Sequence, residues 1–359
     1  MFRYASNITF AIFAVVIIYL LSCCSSVVYA DATIAVINLD GTDEGFNDPD
    51  SPDPDSAEGG NTGTTLGEQR FIAFQYAADL WGEVLISDVE IEVGANFDEL
   101  TCSATSAVLG SAGPTTVHRD FSGAPVSSTW YVQALANSLA GTDLGPSNSD
   151  IAATFNSAIG TTCSFPLVWY YGLDGNPPTG TIDFVSVVLH ELCHGFGFLT
   201  FVDLSTGEKL ASQDDAFMHH LEDHSTGKFY PEMTDAERVT ASTDTGDLHW
   251  VGSNVVAASV ILSSGRHSSG HVEMYAPATQ QAGSSVSHFS TSLLPDQLME
   301  PSYTGPIHEF EITQALLEDI GWQVNSDNAP VPAAGYGGSA IILVVFLGLS
   351  WLKGHKKHS

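Results

Sequence analysis

In LGEQRFIAFQYAADLWGEVL, residues 66–85, apolar side chains fall at Phe71, Phe74, Ala77, Ala78 and Trp81. Steps of three and four line one face of a helix. The period then changes. Val89, Ile91 and Val93 alternate with acids over 89–97, the pattern of a half-exposed strand. Residues 128–140 again read as helical, and DIAATFNSAI at 150–159 reads as a strand. A third helix is expected to start at Asp183, a good N-cap, to carry Phe184, Val187, Val188, Leu192 and Phe196, and to end at Gly195 and Gly197. The polar, histidine-rich stretch 198–287 is too long for a plain connection and reads as an inserted subdomain. From Glu311, ITQALLEDIGW predicts a closing amphipathic helix. Helices and strands alternate without an internal repeat, which predicts an α+β fold.

The two ends follow a different pattern. Residues 1–30 join Arg3, an apolar run from Phe10 to Leu21, and Val28-Tyr29-Ala30, which suits a signal peptide cleaved after Ala30. Leu20-Leu21-Ser22-Cys23 offers a rival reading, a lipoprotein signal with Cys23 lipidated. Either reading makes the chain exported. Residues 329–359 hold the uncharged run AIILVVFLGLSWL followed by Lys353, Lys356 and Lys357. That is the pattern of a transmembrane anchor or a sorting tail, predicting a cell-surface protein or, after removal of the tail, a secreted one.

Charge narrows the partners. Between the two ends lie six basic residues against 42 acidic ones, a net charge of −36. Nucleic acid and anionic membrane surfaces are excluded by repulsion, leaving membrane contact to the C-terminal segment. The acid-rich loop DGTDEGFNDPDSPDPDSAEGG at 40–60 has few apolar residues to bury. Its aspartates raise calcium as a secondary cofactor, although the ordered spacing of an EF-hand is missing. Outside the signal stand Cys102, Cys163 and Cys193. Cys102–Cys163 is the natural disulfide, because Cys193 lies in the expected third helix; a Cys193 pair remains open.

That helix carries the chemistry. It reads His190-Glu191-Leu192-Cys193-His194. Histidines four apart share a helix face and can point two imidazoles at one ion, with Glu191 turned aside to take a proton from water. Nitrogen ligands suit zinc, which at catalytic sites takes three protein ligands and keeps a position open. For the third ligand, His219, His220, His224, His249, His267, His271, His288 and His308 compete, and Glu222 would make a different enzyme type.

HELCHGFG resembles the HExxHxxG pattern of the metzincin zinc metalloproteases. In their compact members a third histidine lies three residues past the glycine, here Gly197; this chain has Thr200 there. In the leishmanolysin-like branch an insertion intervenes, and a methionine follows the histidine eleven residues on, as Met299 follows His288 here. The segment EPSYTG and the helix after it resemble that branch too. The resemblance covers the site helix and 288–322 closely and 66–190 loosely. It implies a twisted sheet with an active-site helix, a long insertion and a small C-terminal subdomain with a Met-turn. It also implies one catalytic zinc on His190, His194 and His288, Glu191 as general base, and Gly197 and Met299 as structural residues. The implied activity is endopeptidase action on protein or peptide substrates. The expected organisation is signal 1–30, acidic segment 31–65, catalytic subdomain 66–197, insertion 198–287, C-terminal subdomain 288–328 and tail 329–359. The strand at 150–159 is the expected substrate edge, and Tyr275 and Tyr303 are oxyanion candidates. A non-catalytic adhesin on a protease-like fold and a purely structural metal site are the alternatives.

Overall fold

The computed structural model describes residues 30–52 and 59–325. In chain order, β1 (Ile34–Asn38) leads to α1 (Leu66–Val84), β2 (Ile91–Asp98), β3 (Gly110–Pro114), β4 (Val117–His118) and β5 (Thr129–Val132). Then come α2 (Gln133–Ala140), β6 (Ile151–Asn156), β7 (Val168–Tyr170), β8 (Thr181–Asp183) and α3 (Phe184–Phe196). The stretch after α3 holds β9 (Asp214–Asp215), β10 (Leu221–Asp223), β11 (Lys228–Phe229), α4 (Asp235–Ala241), β12 (Leu248–Trp250), α5 (Ser253–Ala258) and β13 (Val272–Glu273). Helix α6 (Glu311–Asp319) closes the described chain. The fold is mixed α+β.

The main sheet runs β1-β2-β6-β3, with the first three strands parallel and β3 antiparallel at the edge. On β6 the alternate residues Ile151, Ala153 and Phe155 are buried, and both sides of the strand are paired. The expected substrate edge at 150–159 is therefore corrected: this strand is internal, and the sheet's edge strands are β1 and β3. Alternation in sequence reports which face is buried, not whether a neighbour occupies each side. The expected helix at 128–140 is also corrected at its start. Residues Thr129-Trp130-Tyr131-Val132 form a strand, and only Gln133–Ala140 is helical. A β-branched and aromatic run fits a pleated surface better than a helix.

Helix α1 begins on a capping box, in which Thr65 accepts the Glu68 N–H and Glu68 reaches back to the Thr65 N–H. Its Phe74, Ala77, Ala78 and Trp81 are fully buried. The Trp81 indole N–H donates to the Leu189 carbonyl at 3.0 Å, which fastens α1 to α3. Beneath the sheet, Phe155 and Phe97 pack on Phe184 with ring centroids 5.0 and 5.4 Å apart. The core continues into the long stretch after α3 through Phe198–Phe217 (5.4 Å), Phe217–Trp250 (4.7 Å) and Phe198–Phe289 (5.0 Å). Cys102 and Cys163 form a disulfide with Cα atoms 6.0 Å apart, a bond that persists in oxidising surroundings. Cys193 is a buried free thiol.

Among the described residues no helix is long and apolar enough to cross a membrane. The longest, α1, has 19 residues and carries Glu68, Arg70, Asp79 and Glu83, which bar it from a bilayer. The expected membrane attachment is corrected accordingly. The tail segment 329–359 on which it rested, and the signal up to Tyr29, lie outside the described residues.

Candidate metal centre

Helix α3 is set by its two ends. At the start, Asp183 is fully buried and accepts both the N–H and the hydroxyl of Ser186, at 2.8 and 2.6 Å. It also accepts from His308 Nε2 at 2.8 Å, so His308 is engaged at the helix cap and away from the other histidines. At the far end Gly197 has φ 116°, a conformation that favours glycine, and a Cβ there would lie 2.8 Å from Ile320. This turn lets the Phe198 carbonyl face back to His194. The Trp322 indole N–H takes up the Phe196 carbonyl at 2.8 Å, tying the last described segment to the helix end.

Between these ends, His190 and His194 project from one face, and the chain returns His288 against them. The three ring centroids lie 4.8 to 5.1 Å apart. Each ring is oriented by a backbone carbonyl on its Nδ1: His190 by Leu298 at 2.8 Å, His194 by Phe198 at 2.8 Å, and His288 by Ser284 at 2.9 Å. A carbonyl only accepts, so each Nδ1 carries the proton and each Nε2 of a neutral ring is a lone pair. The Nε2 atoms of His190 and His288 face each other at 3.2 Å. Two acceptors at that distance call for a cation between them. Protonation is disfavoured: burial lowers His190 below its usual range, pushes His194 down to about 3 with His190 adding to the effect, and drives His288 well below normal. The donor set therefore fits a zinc-class ion, with the outer-shell carbonyls that fix ligand tautomers at such sites.

Glu191 turns from the histidine face toward β3. It is 8% exposed, and its carboxylate accepts the Ala112 N–H. Burial pushes its pKa up to about 8, with the Ala112 bond opposing. Gly110 faces it so closely that a Cβ would lie 2.9 Å from Glu191 Cγ and 3.1 Å from Oε1. We expect Gly110→Ala to displace Glu191 while leaving the imidazoles in place. If Glu191 is the general base that the resemblance implies, protein cleavage should fall by about 100-fold, since a misplacement near 1 Å costs on that order, while metal content stays at the wild-type level. A variant as active as wild type would show that the Gly110–Glu191 contact does not matter.

The raised pKa of Glu191 has a stability consequence in metal-free protein. Between pH 4.5 and about 8 the unfolded chain ionises this group while the folded chain keeps its proton. The folded state then binds more protons, so this group's contribution is full below pH 4.5 and is lost as pH rises through about 8. His194 works in the opposite sense, its contribution being lost as pH falls from 6.5 toward 3. Comparing Glu191→Gln with wild type in chelator isolates the first term: the variant's stability advantage in denaturant melts should grow from pH 4.5 to 8. A pH-independent difference would contradict the assignment.

A cleft of about 1030 Å³ opens over these residues, bounded by β3 on one side and by the 280–288 segment on the other. Tyr303 lines it, with its hydroxyl accepting the Asp183 N–H at 3.0 Å; Tyr275 is not among the lining residues and instead pairs its N–H with the His288 carbonyl. Met299 is fully buried, and its carbonyl accepts the Phe289 N–H at 2.8 Å, closing the loop that carries His288. Of the other histidines, His219 meets Thr129, His220 stacks on Trp250, and His224 and His271 gather with Glu222 elsewhere. In the acidic loop, Asp40 accepts the Phe46 and Phe97 N–H groups and Asp48 pairs with Arg70. Among the described residues, neither metal-capable cluster includes an acid of that loop.

Sequence reasoning missed β3, Gly110 and Glu300. LGSAGP offers no apolar alternation, so its strand character comes from pairing with β6. Glu300 lines the cleft and is 5% exposed, with burial raising its pKa to about 7. No family model matches this chain, and no curated protein matches its sequence.

Proposed function

We propose that this protein is a zinc-dependent endopeptidase of the metzincin type, close to the leishmanolysin-like branch, acting on extended protein or peptide segments. The observation that carries the reading is the pair of facing Nε2 lone pairs of His190 and His288, 3.2 Å apart, with Glu191 on the same helix beside them. His190, His194 and His288 would hold the ion. Zinc bound there supplies a Lewis acid for a carbonyl oxygen and lowers the pKa of water.

The remaining chemistry belongs to the chain. Glu191 takes a proton from the attacking water and delivers it to the leaving amine. The Ala112 N–H fixes the carboxylate during both transfers. The free edge of β3 receives an extended substrate by strand addition, which brings its backbone past Glu191. Tyr303 sits on the cleft wall as the group to steady the developing oxyanion. Gly197 and Met299 shape the turns that place His194 and His288. The excess of acidic residues steers cationic substrates toward the chain. A purely structural metal site is closed; this one opens into a cleft of about 1030 Å³, which favours the catalytic reading.

The test is mass spectrometry of an unfolded protein incubated with the purified chain. We expect internal cleavage that stops with a zinc chelator and returns when zinc is restored. Cleavage indifferent to chelation, or none with zinc bound, would overturn the reading.

A further inference from the structure

A second group of metal-ligating side chains lies in the stretch after α3, on the small antiparallel sheet β11-β10-β12-β13. Its register explains how the group forms. Glu222 pairs with His249, and His249 with Glu273. Directly opposed residues point to the same face. By alternation His224 follows Glu222 onto that face, and His271 precedes Glu273 onto it. The other face, with Leu221, Leu248, Trp250 and Val272, is fully buried in the core. Chain alternation thus drives the imidazoles and carboxylates together on the outer side.

The distances suit an ion. Glu222 Oε2 lies 3.4 Å from His224 Nε2 and 3.5 Å from His271 Nδ1. Metal–ligand bonds of about 2.0–2.1 Å give tetrahedral ligand–ligand edges of roughly 3.3 Å. The two nitrogens themselves are 2.8 Å apart, at hydrogen-bond distance, and an ion would spread them by about 0.5 Å. His249 stacks on His224 with centroids 3.8 Å apart, and its own Nδ1 donates to the Asp247 carbonyl. His267 forms a further wall, but its Nδ1 accepts the Ser269 N–H. Glu222, His224 and His271 are 15 to 24% exposed at their side chains, so an ion can reach them from solvent.

We infer that Glu222, His224 and His271 form a second zinc site, with a structural task. Two imidazoles and one carboxylate select a zinc-class ion over calcium or magnesium, which prefer all-oxygen shells. The ion would clamp β10 to the start of β13 across β12. Directly after β13, Tyr275 donates its N–H to the His288 carbonyl at 2.8 Å, and Ser290 donates to the Glu273 carbonyl at 3.0 Å. The clamp therefore steadies the segment that presents His288.

The experiment is equilibrium dialysis of the full chain against zinc, followed by metal analysis. Wild type should hold two zinc ions per chain. His190→Gln/His194→Gln should hold one, whatever its proteolytic activity, and zinc should still raise its melting temperature. His224→Gln/His271→Asn should hold one and retain zinc-dependent proteolysis with a lower melting temperature. A His190/His194 variant with no zinc, or a folded His224/His271 variant with as much zinc as wild type, overturns the inference. If the His224/His271 variant misfolds, the zinc count and the zinc-dependent melting of the His190/His194 variant still decide. Failure of the endopeptidase reading would appear separately, as two bound ions without cleavage.

Discussion

Glu191→Gln should leave the chain folded and zinc-loaded but reduce protein cleavage by about 10²–10⁴-fold, the range for loss of a positioned general base. Glutamine keeps the volume of glutamate, and its amide oxygen can still accept the Ala112 N–H, so the contact to β3 survives. What goes is the basic oxygen. The three imidazoles do not depend on Glu191 for orientation, because each is held by its own backbone carbonyl. Metal content and activity should therefore separate in this variant. Turnover of the variant at the wild-type rate would mean that the base is another group, and the buried Glu300 would be the next to substitute.

His288→Ala should have the second large effect, of a different kind. His288 is 4% exposed and lies between the other two rings. Without it the ion loses one of three protein ligands, so zinc binding and cleavage fall together. Zinc at 100 times its dissociation constant stabilises a folded chain by about 2.7 kcal/mol, and the part due to this site should vanish. Melting curves with and without zinc in the Glu222→Ala background read that increment directly. Unchanged zinc stabilisation and unchanged cleavage would place the third ligand elsewhere and remove the link to the leishmanolysin-like branch.

Local signals carried much of this architecture. The helix at 66–85, the Asp183 cap and the Gly197 stop were legible because spacing, capping and backbone freedom are properties of neighbouring residues. The convergence of His190 and His194 was legible for the same reason, being one helical turn. His288 was different: eight histidines were open by composition, and only the family pattern singled it out, since nothing local says which distant loop returns to a helix. The edge position of β3 depends on pairing across more than 40 residues, from Gly110 to Phe155, and a Gly-rich segment gives no alternation to announce it. The carbonyls of Leu298, Phe198 and Ser284 are backbone groups, so residue identity could not reveal them. The Glu222–His224–His271 cluster was hidden within a list of competing ligands, and it became distinct only once the register of β10, β12 and β13 was known.

The most direct test is anomalous diffraction at the zinc edge from crystals of the zinc-loaded protein. A peak at about 2.0–2.1 Å from the Nε2 atoms of His190, His194 and His288 is the predicted result. A fully loaded protein with no peak among those three rings would contradict the account at its centre.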